Sequence, residues 1–474
     1  MRGRALKLLN LNPRKLLRNG LVHNVIALYG VQACTYALPL LTFPYLAHVL
    51  GPSGWGVVVF AQAIGDVIAS VVEYGFDISA SRETSRQRNE PKRLSTLISG
   101  VLGAKFLLAV LCIGGAIFSR RFTHHVAPSL ALFWASTIWG VCQGINMLWF
   151  FQGLERMRLA SALEIGGKVL ATLSIFILVH KPSDGWKVMA AQCVGCVVAH
   201  GVTVVLAYRE VGFQWPTPSS VWTALRMGGS MFLFRAVQGL SGSVNRLVLG
   251  AVAPVALLGE YAGAERITRV FQQGLWPVNQ ALYPRLTKQV QDNPQGAMKT
   301  VRFSLFLLGG LGLVFGLAIF MGAPLLVHLI LGPAFRDSVP VLRVFALWIP
   351  LIALCTVMIF QLLLPNQLDN QFNFVNFTAG LLGIVAALLL APRFRAVGIA
   401  WSAVTAQLYT LIAFSVVLGR AGLNPFAHAA KPSARARRVR DRVGLAGRSQ
   451  QEVLSELLLA ESGSERVAPE NLVL

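Results

Sequence analysis

MFLFRAVQGLSGSVNRLVLGAV, Met231 to Val252, is apolar enough to live in a bilayer yet carries two arginines, Arg235 and Arg246. An arginine at the centre of a membrane span costs ~2.5–3.5 kcal/mol on insertion scales and more in simulations. Two on one helix must therefore face protein or water. Eleven residues separate them, and at 100° per residue they lie about 20° apart around the helix. Gln238, Gly239 and Gly242 fall on the same stripe. The reading is a membrane helix with one polar face, turned into a bundle that encloses a cavity.

Composition extends that reading to the whole chain. Of 474 residues, 55% are hydrophobic and 13% charged, with a mean hydropathy of +0.60. A soluble chain would show roughly a quarter charged. The shortfall sits in long apolar runs, so the fold class is an all-α polytopic membrane protein. The formal net charge of +22 is of the kind cytoplasmic loops supply, and no nucleic-acid partner is indicated. Six cysteines, Cys34, Cys112, Cys142, Cys193, Cys196 and Cys355, lie mainly in apolar runs. The C-x-x-C at Cys193 and Cys196 falls inside a span, without the context redox chemistry needs, and reads as small apolar packing.

A helical span needs ~20 mostly apolar residues. Twelve are predicted, at 21–48, 54–75, 95–119, 128–151, 159–180, 187–208, 224–251, 256–283, 301–321, 338–364, 371–391 and 396–419. The basic N-terminus, 1–20, precedes a retained first span rather than a cleaved signal peptide. That span is long and contains Pro39 and Pro44, where a kink or break is expected. APLLVHLILG, 323–332, is too short to cross and is expected at the interface or capping the ninth span.

An even span number puts both termini on one side. That side holds Arg14, Lys15 and Arg18, then Arg82, Arg86, Arg88, Lys92 and Arg93, then Arg156 and Arg158, then Arg285 and Lys288. The opposite side has only Arg120, Arg121, Lys181, Lys187, Arg336, Arg393 and Arg395. The positive-inside rule places both termini in the cytoplasm. The tail, 421–474, starts with a basic run read as a membrane-flanking anchor. A short amphipathic helix follows, with a capping box from Ser449 to Glu452.

The spans divide as six plus six: an N-lobe at 21–208, a linker at 209–223 and a C-lobe at 224–420. GVVVFAQAI (56–64) aligns faintly with GEYAGAERI (259–267), with Gln62 opposite Glu265. That places the second span of each half in the same position, as two-lobed transporters built from repeats require.

Other spans carry polar stripes as well. Glu265, Arg269, Gln272 and Trp276 share a face of the eighth, where Glu265 and Arg269 can pair at i, i+4. The second offers Gln62, Asp66, Ser70 and Glu73, and the first Asn24, Gln32 and Thr35. Glu164 and Lys168 form another i, i+4 pair in the fifth, read as interhelical glue. In spans seven and eight, Arg235, Arg246, Arg266 and Arg269 face chiefly Glu260 and Glu265. Surplus arginine in a cavity suits an anion, phosphate above all, which guanidinium grips with two parallel hydrogen bonds. The expected binding set is Arg235, Arg246, Arg269, Gln238, Gln272, Asn24 and Gln32. Asp66 or Glu265 either couples transport to H+ or Na+ or serves as counter-ion to an arginine. No other cofactor and no metal is expected. His124 and His125 lack ligand spacing. Pro39, Pro44 and Gly228–Gly229 are candidate hinges, though the glycines also suit close helix packing.

Three pieces carry a family resemblance: P-L-x-x-F-P-Y-L at Pro39 to Leu46, LGPSGWG at Leu50 to Gly56, and EYGFDISASRE at Glu73 to Glu83. Together they resemble the N-terminus of Wzx-type polysaccharide flippases. These belong to the polysaccharide-transport branch of the MOP superfamily, with MurJ-type lipid II flippases and MATE exporters as relatives. The similarity of layout covers about 20–420, and the strong motifs cover the first two spans and their loop. The resemblance implies twelve helices in two pseudo-symmetric six-helix lobes forming a V around a central cavity. It implies transfer of an undecaprenyl-pyrophosphate-linked oligosaccharide from the cytoplasmic to the periplasmic leaflet, beside a polysaccharide polymerase and a length regulator. The family motifs do not reach Arg235 or Arg246, which rest on periodicity alone.

Two rivals make different demands. A MATE-like exporter of cationic compounds wants acids in its cavity, and the first span has none. A glycan polymerase or ligase would be expected to present a large outward loop with acid/base residues, and the outward loops here are short.

Overall fold

The computed structural model describes residues 20–123, 130–274 and 294–425. Among them every regular element is helical. In chain order these are α1 (Gly20–Glu73), α2 (Phe76–Arg86), α3 (Pro91–Thr123), α4 (Leu130–Gly144), α5 (Leu148–Gly153) and α6 (Met157–Leu178). Then come α7 (Gly185–Val211), α8 (Pro218–Val252), α9 (Val255–Gly274), α10 (Pro294–Ile330), α11 (Ser338–Val357) and α12 (Asp369–Arg420). The expected tail helix, His124, His125 and Trp276 lie outside the described residues.

Among the described residues, seven helical stretches are long and apolar enough to cross a membrane. Two of them hold two spans each. At 54 and 52 residues, α1 and α12 would be about 80 Å long if straight, against ~30 Å of hydrocarbon. In α1 the break is Gly51 (φ 65, ψ −179). Without a Cβ, glycine adopts that angle freely, and Pro52 after it brings no N–H to the ladder. Backbone angles stay helical through Pro39 and Pro44, so the break falls at Gly51 rather than at either proline. In α12 the break is Arg395 (φ 51, ψ −129), an exposed residue in a conformation that L side chains rarely adopt.

Three further boundaries differ from the hydropathy reading. The fourth span divides into α4 and α5 around residues 145–147. Residues 323–330 continue α10 instead of forming a separate interfacial piece. Bilayer offers no water to a bare backbone, so an apolar segment satisfies its peptide groups best by extending the helix. The linker is short: α7 ends at Val211, Gly212 turns with φ 83, and α8 starts at Pro218. There Thr217 and Ser220 form a capping box with proline at the first helical position. Ser95 Oγ donates to Gly212 O and Ser99 Oγ to Gln214 O, which ties the linker to α3.

The loops gather at two ends. At one, Arg88 pairs with Glu155 at 2.9 Å, and Arg156 pairs with Glu210 beside the linker. At the other, Gly54 packs on Pro182 O, and Gly332 on the His48 ring. The EYGF motif turns α1 into α2 with Tyr74 and Gly75 both at positive φ. Tyr74 then packs on Gly228 of α8, leaving no room for a Cβ there, and stacks on Phe232 at 4.6 Å. Large apolar side chains such as Phe106 (70% exposed) and Phe306 (75%) point outward. That suits a bundle whose solvent on that surface is lipid.

The tightest contact joins α1 and α9. A Cβ on Gly56 would come 2.0 Å from Val255 O, and one on Gly259 2.0 Å from Pro52 O. This approach brings the polar residues of α9 against the second half of α1.

Candidate functional site

Six helices surround a cavity of about 300 Å³. α8 and α9 form one wall and contribute Arg246 and Arg266. α4, α6 and α7 form the facing wall, with Gln143, Glu164, Lys168, Gln192 and His200. α1 runs along both and adds Thr42, Gln62 and Asp66.

Arg246 is committed on two sides. Its Nε donates to Glu265 Oε2 at 3.2 Å, and its Nη1 reaches Asp66 Oδ2 at 3.4 Å. Ser243 Oγ also donates to Asp66 Oδ2 at 3.2 Å. Arg269 Nη2 donates to Glu265 Oε1 at 2.6 Å, the pair that i, i+4 spacing predicts. Glu265 therefore holds two arginines, and three helices are joined through one network, buried at Glu265 and Arg246 and partly open at Asp66 and Arg269. Arg246 and Asp66 line the cavity, whereas Arg269, Glu265 and Gln272 are not part of its lining. Arg235 and Gln238 sit on α8, and Asn24 and Gln32 on α1, with their side chains outside the described set. α8 is unbroken from Pro218 to Val252, so the backbone that aligns Arg235 with Arg246 is present. Pro39 lines the cavity as well.

Arg266 is the residue that periodicity passed over. It lies one position past Glu265 and so off the stripe of Glu265, Arg269 and Gln272. Its guanidinium sits 4.8 Å from the Trp55 ring centroid and 5.3 Å from that of Phe43. Among the described residues it makes no ion pair within 4 Å, yet it faces the cavity. Aromatic faces attract a cation without neutralising it. The charge thus stays available to a ligand. Both rings come from motifs of the first two spans, Phe43 in TFPYL and Trp55 in PSGWG, and the surplus of arginine over acid in spans seven and eight already included Arg266.

The facing wall is mostly uncharged. Lys168 Nζ donates to Glu164 Oε1 at 2.8 Å, within one helix. Gln62 Nε2 donates to Gln192 Oε1 at 3.2 Å, and His200 Nε2 lies 3.4 Å from Gln143 Oε1. Cys193 and Cys196 are free thiols. Three arginines against two carboxylates on the α1–α8–α9 side, and a self-cancelling pair opposite, leave the cavity basic.

Two curated relatives carry the name "Putative O-antigen transporter". One, of Escherichia coli (strain K12), is 28% identical over 397 residues, covering 82% of this chain and 94% of that protein. The other, of Shigella dysenteriae, is 23% identical over 394 residues, covering 82% and 96%. Among solved structures the chain is similar to the lipid II flippase MurJ in an inward closed conformation, with a TM-score of 0.64 at 11% identity. That match covers 84% of this chain and 87% of MurJ. It is also similar to an inward-facing multidrug resistance MATE family transporter of the MOP superfamily, with a TM-score of 0.58 at 14% identity, covering 83% and 100%. These likenesses show a multi-span helical fold of the MOP type. Residues 21–290, more than half of the chain, match the family described as "Polysaccharide biosynthesis protein", and the chain belongs to that family.

Proposed function

We propose that this protein is a flippase that moves a lipid-linked, pyrophosphate-bearing oligosaccharide across the bacterial inner membrane, with undecaprenyl as the lipid. The observation that carries the reading is Arg266, held on Trp55 and Phe43 and facing the cavity with no ion-pair partner among the described residues. A guanidinium fixed in this way can take two oxygens of a phosphate at once. Arg246, and Arg235 on the same helix, would extend the anion site. The curated relatives named as O-antigen transporters and the MurJ-like fold support a lipid-linked glycan as the cargo. An export role for organic cations is less well served. Asp66 and Glu164, the cavity's described acids, each face a basic partner.

Movement would follow alternating access between halves at 21–208 and 224–420, with Pro39, Pro44 and Gly51 absorbing the change in α1. Asp66 and Glu265 hold Arg246 in the present state and are the groups through which H+ or Na+ would couple. The basic residues at one end of the bundle support a cytoplasmic location for both termini. A polysaccharide polymerase and a length regulator would act on the delivered unit.

The test is genetic and chemical. The gene is deleted in its host and complemented, at matched membrane levels, with wild type, Arg266→Ala and Arg266→Lys. Surface polysaccharide and lipid-linked repeat units are then measured. Arg266→Ala is expected to lose polymer and accumulate lipid-linked units, with Arg266→Lys in between. Normal polymer from Arg266→Ala overturns the reading.

A further inference from the structure

The wall of α4, α6 and α7 is not needed to hold an anion, and its chemistry is of another kind. It presents two primary amides, Gln143 and Gln192, together with Glu164 and Trp139, and Gln62 of the adjoining α1 adds a third. Each amide offers two N–H donors and an acceptor oxygen with two lone pairs. Gln62 and Gln192 make a single hydrogen bond with each other, and Gln143 a single one with His200. Most of their capacity is unused among the described residues, and these bonds fix the amides in orientation. Glu164 gives one carboxylate oxygen to Lys168, while Oε2 is buried with no hydrogen-bond partner among the described residues. Leaving such an oxygen unmet is costly. A group that donates a hydrogen bond from the cavity would relieve it. Trp139 is held in place because its ring packs directly on Gly65.

We propose that this wall is a subsite for the first sugar next to the pyrophosphate, and that it selects an uncharged sugar. The inference rests on the anion reading of Arg266 above. Sugar hydroxyls both donate and accept, which matches amides and a carboxylate oxygen together. A uronate carboxylate would find no free cation here, since Lys168 is taken by Glu164, and it would meet Glu164 itself. The cavity would thus read its ligand from two sides, the charge from α8 and α9 and the hydroxyls from α4, α6 and α7. Its volume of about 300 Å³ is at the lower end of small-ligand pockets, ~300–1,000 Å³. That is room for a headgroup and not for a lipid tail.

The experiment uses the full-length protein in nanodiscs and three probes: farnesyl pyrophosphate, farnesyl-pyrophosphoryl-N-acetylglucosamine, and its glucuronate counterpart. Affinities are read by titration calorimetry. The N-acetylglucosamine probe should bind at least about tenfold tighter than farnesyl pyrophosphate, the effect of one or two added hydrogen bonds. The glucuronate probe should show no such gain. Gln143→Ala and Gln192→Ala should each bring the sugar probe towards the sugar-free affinity without changing farnesyl pyrophosphate binding. Equal affinity of wild type for the sugar and sugar-free probes overturns the subsite and leaves the anion site standing, and it needs no variant to fold. Tighter binding of the glucuronate probe overturns the selectivity. Failure of farnesyl pyrophosphate to bind overturns the anion reading, and this inference with it.

Discussion

Gly56 and Gly259 are each other's counterpart across the α1–α9 contact: Gly56 abuts Val255 O, and Gly259 abuts Pro52 O, at the same 2.0 Å to an added Cβ. Pro52 and Val255 are separated by the same stretch of chain as the two glycines. The contact is therefore reciprocal, as a two-fold relation between equivalent elements makes it. The same offset relates Gln62 to Glu265 and Asp66 to Arg269, so the polar network grows from matching positions of the two elements.

Alanine at either glycine should push the two helices apart, because the obstacle is backbone and not a side chain that can turn away. Gly56→Ala and Gly259→Ala should each lower stability by about 1–3 kcal/mol, the range for overpacking. The effect should be similar at the two sites. Gly115, with nothing within 4 Å of an added Cβ, is the control; Gly115→Ala should be neutral or stabilising by up to about 1 kcal/mol. Thermal unfolding in detergent, followed by tryptophan fluorescence, would measure all three.

Most described helix limits were legible in hydropathy to within a few residues, since a span must be apolar for ~20 residues whatever it packs on. However, α10 runs seven residues before and nine beyond its predicted span, because the helix continues past that span at both ends. The break at Gly51 falls in the gap expected between the first two spans, at 48 and 54, whereas Pro39 and Pro44, where a kink or break was expected, sit in helical backbone. The pairing of Glu265 with Arg269 was legible because it is local. The pairing of Arg246 with Asp66 was not, because the two lie on different helices far apart in sequence. Arg266 was counted among the surplus arginines but left out of the binding set, because periodicity says which residues share a face, not which face meets the cavity. The amides Gln143 and Gln192 gave no charge signal at all.

Arg246 is buried, with 17% of its side chain exposed, between Glu265 and Asp66 at 11% and 40%. Removing it strips Asp66 of its described ion-pair partner, while Glu265 keeps Arg269. Arg246→Ala should cost about 1–3 kcal/mol, below the 3–5 typical of a fully buried pair because Asp66 is part-exposed. Asp66→Asn in the same chain should restore part of that loss. A double-mutant cycle on unfolding temperature would show it. Strict additivity of the two changes would mean that the contact contributes nothing.

The aromatic shelf makes a separate prediction. Phe43→Leu keeps apolar volume near Arg266 but removes one ring face, leaving Trp55. Cation–π contacts contribute ~0.5–2 kcal/mol, so farnesyl pyrophosphate should bind about two- to thirtyfold more weakly to the Phe43→Leu protein. Arg266→Ala should weaken it further, and adding Phe43→Leu to Arg266→Ala should then change little. Independent effects of the two substitutions would mean that the ring does not act through the arginine.

The topology can be tested by labelling. Arg88, Glu155 and Glu210 belong to one end of the bundle, where Arg88 pairs with Glu155 and Arg156 with Glu210. His48, Pro182 and Gly332 meet at the other. The first end carries Arg82, Arg86, Arg88, Lys92 and Arg93 in one loop region, and the second has Lys181, Lys187, Arg336, Arg393 and Arg395 spread over three described connections. Basic residues are retained on the cytoplasmic side because they resist translocation. A cysteine at Arg86, which is largely exposed and makes only a local pair with Glu83, should react with a membrane-impermeant maleimide only after the cells are opened. A cysteine at Lys181 should react in intact spheroplasts. Both would be introduced into a chain whose native cysteines are replaced by serine or alanine. The opposite pattern would invert the molecule, and its cavity would then have to load from the other leaflet.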